Sequence, residues 1–79
     1  MTTLMPSRAG AVVAIGEWAR VHGWALAGAV VVAAEGADAV RAAWRGLPPG
    51  TALVILTPAA ADALPEHTGT GLPLTAVLP

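Results

Sequence analysis

The chain has 79 residues, a net charge of −1 and charged side chains at only 11% of positions, against 56% hydrophobic. So little positive charge excludes a surface that could track a phosphate backbone, which removes nucleic acid from the expected partners, and the absence of cysteine excludes disulfides and thiolate metal sites. A chain this short forms one small domain, and much of its hydrophobic content is alanine, which buries little area per residue, so the composition points to reliance on a partner surface.

Residues 1–9 read as a flexible N-terminal tail containing one proline and no periodicity. Residues 10–79 read as a single α/β domain. Gly10-Ala11-Val12-Val13-Ala14-Ile15-Gly16 is predicted to be a first buried strand, ending at a glycine. Glu17 to Leu26 is predicted to be a helix, with Trp18, Val21 and Ala25 on one face. Gly23 weakens it, and Gly28 is placed as its C-cap. Ala29 to Ala34 is predicted to be a second strand.

The clearest helix spans Gly36 to Leu47, where Ala37, Val40, Ala43, Trp44 and Leu47 make an apolar stripe. Asp38, Arg41 and Arg45 form its wet face, with Asp38 in the first turn and Arg45 in the last, as the helix dipole favours. Leu47-Pro48-Pro49-Gly50 then punctuates the chain. Thr51 to Thr57 (TALVILT) is predicted to be the central strand. Its run Leu53-Val54-Ile55-Leu56 is apolar at consecutive positions, a pattern that requires cover on both faces of the sheet and so marks a parallel sheet.

Thr57-Pro58 is placed as N-cap and first helical residue of a short helix running to Leu64. Pro65 to Gly71 is predicted to be a loop. Leu72 to Leu78 is predicted to be a last strand, confined to an edge by the prolines at 73 and 79. Strands alternating with helices at this spacing predict an α/β fold with right-handed crossovers. The expected form is a small doubly wound, flavodoxin-like, four-stranded parallel sheet in order 2-1-3-4, with helices on both faces.

Mean hydropathy is +0.68, but Glu17, Arg20 and His22 separate the longest apolar stretches, and neither stretch reaches the roughly 20 residues a membrane span needs. Direct membrane insertion is therefore not expected. Gly16 stands alone after the first strand, where a dinucleotide fingerprint needs three glycines, and the absence of lysine excludes a Walker-type phosphate loop. Gly69-Thr70-Gly71 has no helix after it. A phosphoryl-transfer receiver would need an acidic pair, a phosphoacceptor aspartate and a lysine, and the corresponding turns hold only Glu17 and Thr57. His22 and His67 lack second metal ligands at helical or strand spacing. Glu17 and Glu66 have no placed companion for acid–base work, and Ser7 lies in the tail. No catalytic residue, cofactor or metal is expected. Trp44 belongs to the apolar stripe. Trp18 and Trp24, six apart on one helix, cannot both face the core, and they are the candidate partner interface.

Ala14-Ile15-Gly16, six residues, then Gly23-Trp24-Ala25-Leu26-Ala27-Gly28-Ala29-Val30 resembles the F subunit of V/A-type rotary ATPases, which reads (V/I)IG, a polar stretch, GF-x-LAG(V/I), then a strand. Leu53-Val54-Ile55-Leu56-Thr57 with the helix after it resembles that family's ILIT segment. Leu72-Pro73-Leu74-Thr75-Ala76-Val77-Leu78-Pro79 resembles its closing P-x-(V/I)-x-x-IP. The likeness covers residues 11–79; the separate motifs are common words, and their order and spacing carry the specificity. Trp24 stands for the usual phenylalanine, and the segment after Gly16 is less acidic than the family's. The sequence stops at Pro79, where the family continues into a C-terminal helix that helps dock the subunit, so the resemblance is to a short version.

The resemblance implies a non-catalytic central-stalk (rotor) subunit of a proton- or sodium-translocating ATPase or ATP synthase. It would bind a coiled-coil stalk subunit and lie in the cytoplasm, peripheral to the membrane as part of the complex. The alternative is a stand-alone small flavodoxin-like domain with a ligand-binding or structural role. Adjacent rotary ATPase genes would separate the two.

Overall fold

A computed structural model describes residues 10–64 and 73–79. The expected tail at 1–9, the whole expected loop at 65–71 and Leu72, the first residue of the expected last strand, lie outside the described residues. The elements are β1 (Ala11–Gly16), α1 (Trp18–Val21) continued by a 3₁₀ helix (His22–Ala27), β2 (Val30–Ala33), α2 (Ala37–Arg45), β3 (Thr51–Leu56), α3 (Pro58–Asp62) and β4 (Leu74–Val77). All neighbouring strands are parallel, in the order β2-β1-β3-β4. The expected topology, with β4 at an edge, is therefore the observed one.

Register assigns each side chain to a face. Val13 pairs with Val54 and Val30, and Ala14 with Ile55 and Val31. Val54 pairs in turn with Thr75, and Ile55 with Ala76. On one face Val13, Ile15, Val54 and Leu56 pack with Val40 of α2 and with Ala60 and Leu64 in and after α3, and Trp44 and Leu47 lie against this cluster. On the other face Ala14 and Ile55 meet Val21, with Val12, Trp24, Val31, Leu53 and Leu78 around them. Two buried faces are why consecutive apolar residues recur in β1 and β3.

The first helix differs from expectation. It is α-helical for one turn only and then tightens to 3₁₀ from His22. The sequence Val21-His22-Gly23 gives the physical reason. Gly23 costs helix stability, and the Trp18 carbonyl, already accepting from the His22 backbone N–H, also has the His22 Nδ1 at 2.9 Å. Side chains at i and i+3 eclipse in a 3₁₀ helix, so the single apolar face expected for Trp18, Val21 and Ala25 does not form. Val21 is buried, whereas Trp18 and Ala25 are exposed. The segment ends at Gly28, whose φ of 92° provides the expected left-handed cap.

α2 starts after Gly36 (φ 94°) and carries Asp38 in its first turn and Arg45 in its last. Val40, Ala43 and Trp44 turn to the sheet, while Ala37, the first residue of the expected stripe, is exposed. Arg41 donates to Asp38 at 2.5 Å on the wet face. α3 begins as expected, with the Thr57 hydroxyl accepting from the Ala60 amide and Pro58 in the first turn.

Candidate functional site

Two regions combine exposure with recognisable chemistry. The first is the sheet face that α1 and its 3₁₀ extension cover only in part. Both lie against β1 or β2, and Val21 and Trp24 are their apolar contributions. Over β3 and β4 the same face presents Leu53 and Ile55 beside Leu74 and Ala76, in register, with Leu78 next along. Ile55 is buried, Leu53 and Leu78 are half-buried, and Leu74 is 62% exposed. Val77, on the opposite face of the same edge strand, is also exposed.

Of the candidate interface pair, Trp18 is 57% exposed and stacks on His22, with ring centroids 5.0 Å apart. Trp24 is half-buried against the cluster of Ala14, Val21 and Ile55. The two indoles therefore do different work, Trp24 closing the core and Trp18 facing solvent. Leu26, 95% exposed, is an apolar side chain that sequence reasoning missed, because an uninterrupted helix was expected there. Arg20 donates to the Pro79 carbonyl at 2.8 Å and ties α1 to the end of the chain just past β4.

The second region lies at the carboxyl ends of the strands. Gly16 ends β1, and a Cβ there would come within 2.5 Å of the Thr57 hydroxyl oxygen; that close approach is what the glycine permits. The fully buried Thr57 hydroxyl donates to Glu17 Oε1 at 2.5 Å while accepting from the Ala60 amide at 3.3 Å. The Thr57 hydrogen bond is the main cause that lowers the Glu17 pKa from its usual value of 4.5, with Arg20 contributing weakly in the same direction. Residues 40 apart in sequence meet because β1 and β3 pair directly. That pairing was the sequence signal available for finding them, since each residue follows the end of one of those strands.

Beside this junction α2 and α3 wall a cleft of about 360 Å³, lined by Glu17, Glu35 and Asp62 among small apolar residues. Among the described residues no group of three or more metal-ligating side chains comes together, and no helix is long and apolar enough to cross a membrane. His22 makes the contacts already given; Ser7, Glu66, His67 and Gly69-Thr70-Gly71 lie outside the described residues. No protein-family model, curated protein or solved structure matches the chain.

Proposed function

We propose that this domain is a non-catalytic rotor subunit of a V/A-type rotary ATPase or ATP synthase, docking on the coiled-coil subunit of the central stalk. It would belong to a cytoplasmic assembly peripheral to the membrane. The observation that carries the docking half of this reading is the sheet face over β3 and β4, where, among the described residues, Leu74 and Ala76 are exposed beside the half-buried Leu53 and Leu78. Parallel sheets are stable when both faces are covered, so a helix supplied from outside suits this half. Trp18 and Leu26 are further exposed apolar side chains, on α1 and its 3₁₀ extension. The order and spacing of the motifs at residues 14–30, 53–64 and 72–79 support the choice of a rotary ATPase.

Co-expression with the cognate stalk subunit tests the reading. The expected result is a stoichiometric complex by size-exclusion chromatography with light scattering, in which β4 amides gain hydrogen-exchange protection. Absence of a complex at micromolar concentrations would overturn it. The cleft at the strand ends favours the second reading, a stand-alone ligand-binding domain, because open α/β sheets bind ligands there.

A further inference from the structure

We propose that the sheet face over β3 and β4 seats an amphipathic helix of a partner protein, and that this helix carries a carboxylate for Arg20. The proposal rests on the docking half of the rotor reading and deepens it, by stating what the docked helix must carry and which side chain of this domain reads it.

Charge is divided unevenly between the two sides of the sheet. The strands contain no charged residue. α2, α3 and the turn into α2 hold Glu35, Asp38, Arg41, Arg45 and Asp62, and both helices pack on one face. α1 and its 3₁₀ extension pack on the other face and carry one formally charged side chain, Arg20. Glu17, just before α1, is engaged by the Thr57 hydroxyl. Arg20 reaches across from α1 to donate to the Pro79 carbonyl at 2.8 Å. Pro79 follows Leu78, whose amide continues the β3–β4 ladder to the Leu56 carbonyl. The guanidinium therefore stands at the carboxyl-end rim of β4, beside the apolar patch. It has several N–H donors, and one goes to that carbonyl. Among the described residues no side-chain carboxylate lies within ion-pair distance of it.

The patch and the charge together select the occupant. Leu74 and Ala76 are exposed, and Leu53 and Leu78 are half-buried beside them. From Leu74 to Leu78 the strand advances about 13 Å, at about 3.3 Å per residue, a length that a helix covers in about nine residues. Apolar side chains at i, i+4 and i+7 match that length, and a carboxylate one turn further on arrives at the rim where Arg20 stands. The planar guanidinium suits a carboxylate because two parallel hydrogen bonds can form. Its tether to Pro79 lowers the ordering cost of making them. A second copy of this chain, meeting the same face across a two-fold axis, would set one Arg20 near the other and bring no free carboxylate from its α1 side. An anionic membrane surface needs a cluster of cations, and this face has a single one.

The test uses the full chain, ¹³C-labelled at leucine and alanine methyl groups, and three capped, hydrocarbon-stapled helical peptides. Each has leucine at i, i+4 and i+7, and the residue one turn beyond each end of that stripe is glutamate, glutamine or lysine. The expected result is saturable chemical-shift change at Leu53, Leu74, Ala76 and Leu78 with the glutamate peptide. Binding should be weaker by about threefold with glutamine and weaker again with lysine. Arg20→Glu, at an exposed position, should reverse that order. Arg45→Glu, the same change of charge on α2, should leave it standing. Equal affinity for the three peptides, an order unchanged by Arg20→Glu, shifts confined to the alanines of α2 and α3, or a dimer that shifts these methyl groups without peptide would each overturn the proposal. A stalk complex that forms while the glutamate peptide fails overturns this contact and keeps the rotor reading; peptide binding without a stalk complex does the reverse.

Discussion

Replacing Thr57 with valine isolates the junction that joins the two central strands to α3. Valine conserves shape at a fully buried position and deletes only the hydroxyl. Two interactions go with it: the cap accepted from the Ala60 amide and the donation to Glu17. The cap is worth about 1 kcal/mol. The Glu17 bond adds at most about as much again, because its carboxylate lies at the edge of the cleft, where water competes. The expected loss is therefore about 2 kcal/mol at neutral pH, or roughly 10 °C in Tm for a domain of this size.

The two parts separate by pH. The Glu17 pKa is lowered by folding, so its contribution is fully present above its ordinary value of 4.5 and is lost as pH falls through the folded value. Urea unfolding of wild type and Thr57→Val at about pH 7 and about pH 2.5 should show the difference shrinking in acid to the cap alone, about 1 kcal/mol. In Glu17→Ala the Thr57→Val penalty should be that of the cap alone, about 1 kcal/mol, at both pH values. A penalty unchanged by acid, or unchanged in the Glu17→Ala background, would refute the coupling.

Other substitutions probe the rest. Trp24→Ala should lower stability by about 2 kcal/mol, roughly half the cost of truncating a fully buried tryptophan, and should weaken stalk binding through loss of fold. Trp18→Ala should leave Tm within a few degrees and, if α1 forms part of the docking surface, weaken binding by at least about 1 kcal/mol; binding untouched by it would remove α1 from the interface. Gly16→Ala should cost about 1–3 kcal/mol by driving a Cβ into Thr57, read from the urea midpoint. Calorimetric titration with ATP, ADP and NAD at millimolar ligand should give no saturable heat, and a micromolar Kd would refute the reading of Gly16 as a packing residue.

The sheet was legible because its signals are local or additive. The unbroken Leu53-Val54-Ile55-Leu56 run, the Thr57-Pro58 helix start and the Gly28 cap each have one physical meaning, and the alternation of strands and helices fixed the order 2-1-3-4. The single helix over Glu17 to Leu26 failed because its outcome turned on a cost that periodicity does not weigh: a glycine inside the i to i+4 ladder. That failure also concealed the exposure of Leu26. The Thr57–Glu17 hydrogen bond was hidden for a different reason. It joins the ends of two strands that are neighbours only once β2 has gone to the outside of the sheet, so topology had to be settled before contact could be sought. The open half of the sheet follows in the same way, since Leu74 and Ala76 become exposed together only when register places them beside Leu53 and Ile55.

These features have a common energetic consequence. One face of the sheet has a core built with leucine, valine and isoleucine under two helices. The other has Ala14, Val21 and Ile55 as its fully enclosed residues, with Leu74 exposed at its edge. A methylene left in water forgoes about 0.8 kcal/mol relative to its burial, so half a sheet face of leucine and alanine holds several kcal/mol in reserve, comparable to the whole stability of a domain this small. A partner helix on Leu53, Leu74, Ala76 and Leu78 would bury that area only in the folded state. Its binding would therefore raise stability according to RT ln(1 + [L]/Kd), about 2.7 kcal/mol at a hundredfold excess over Kd.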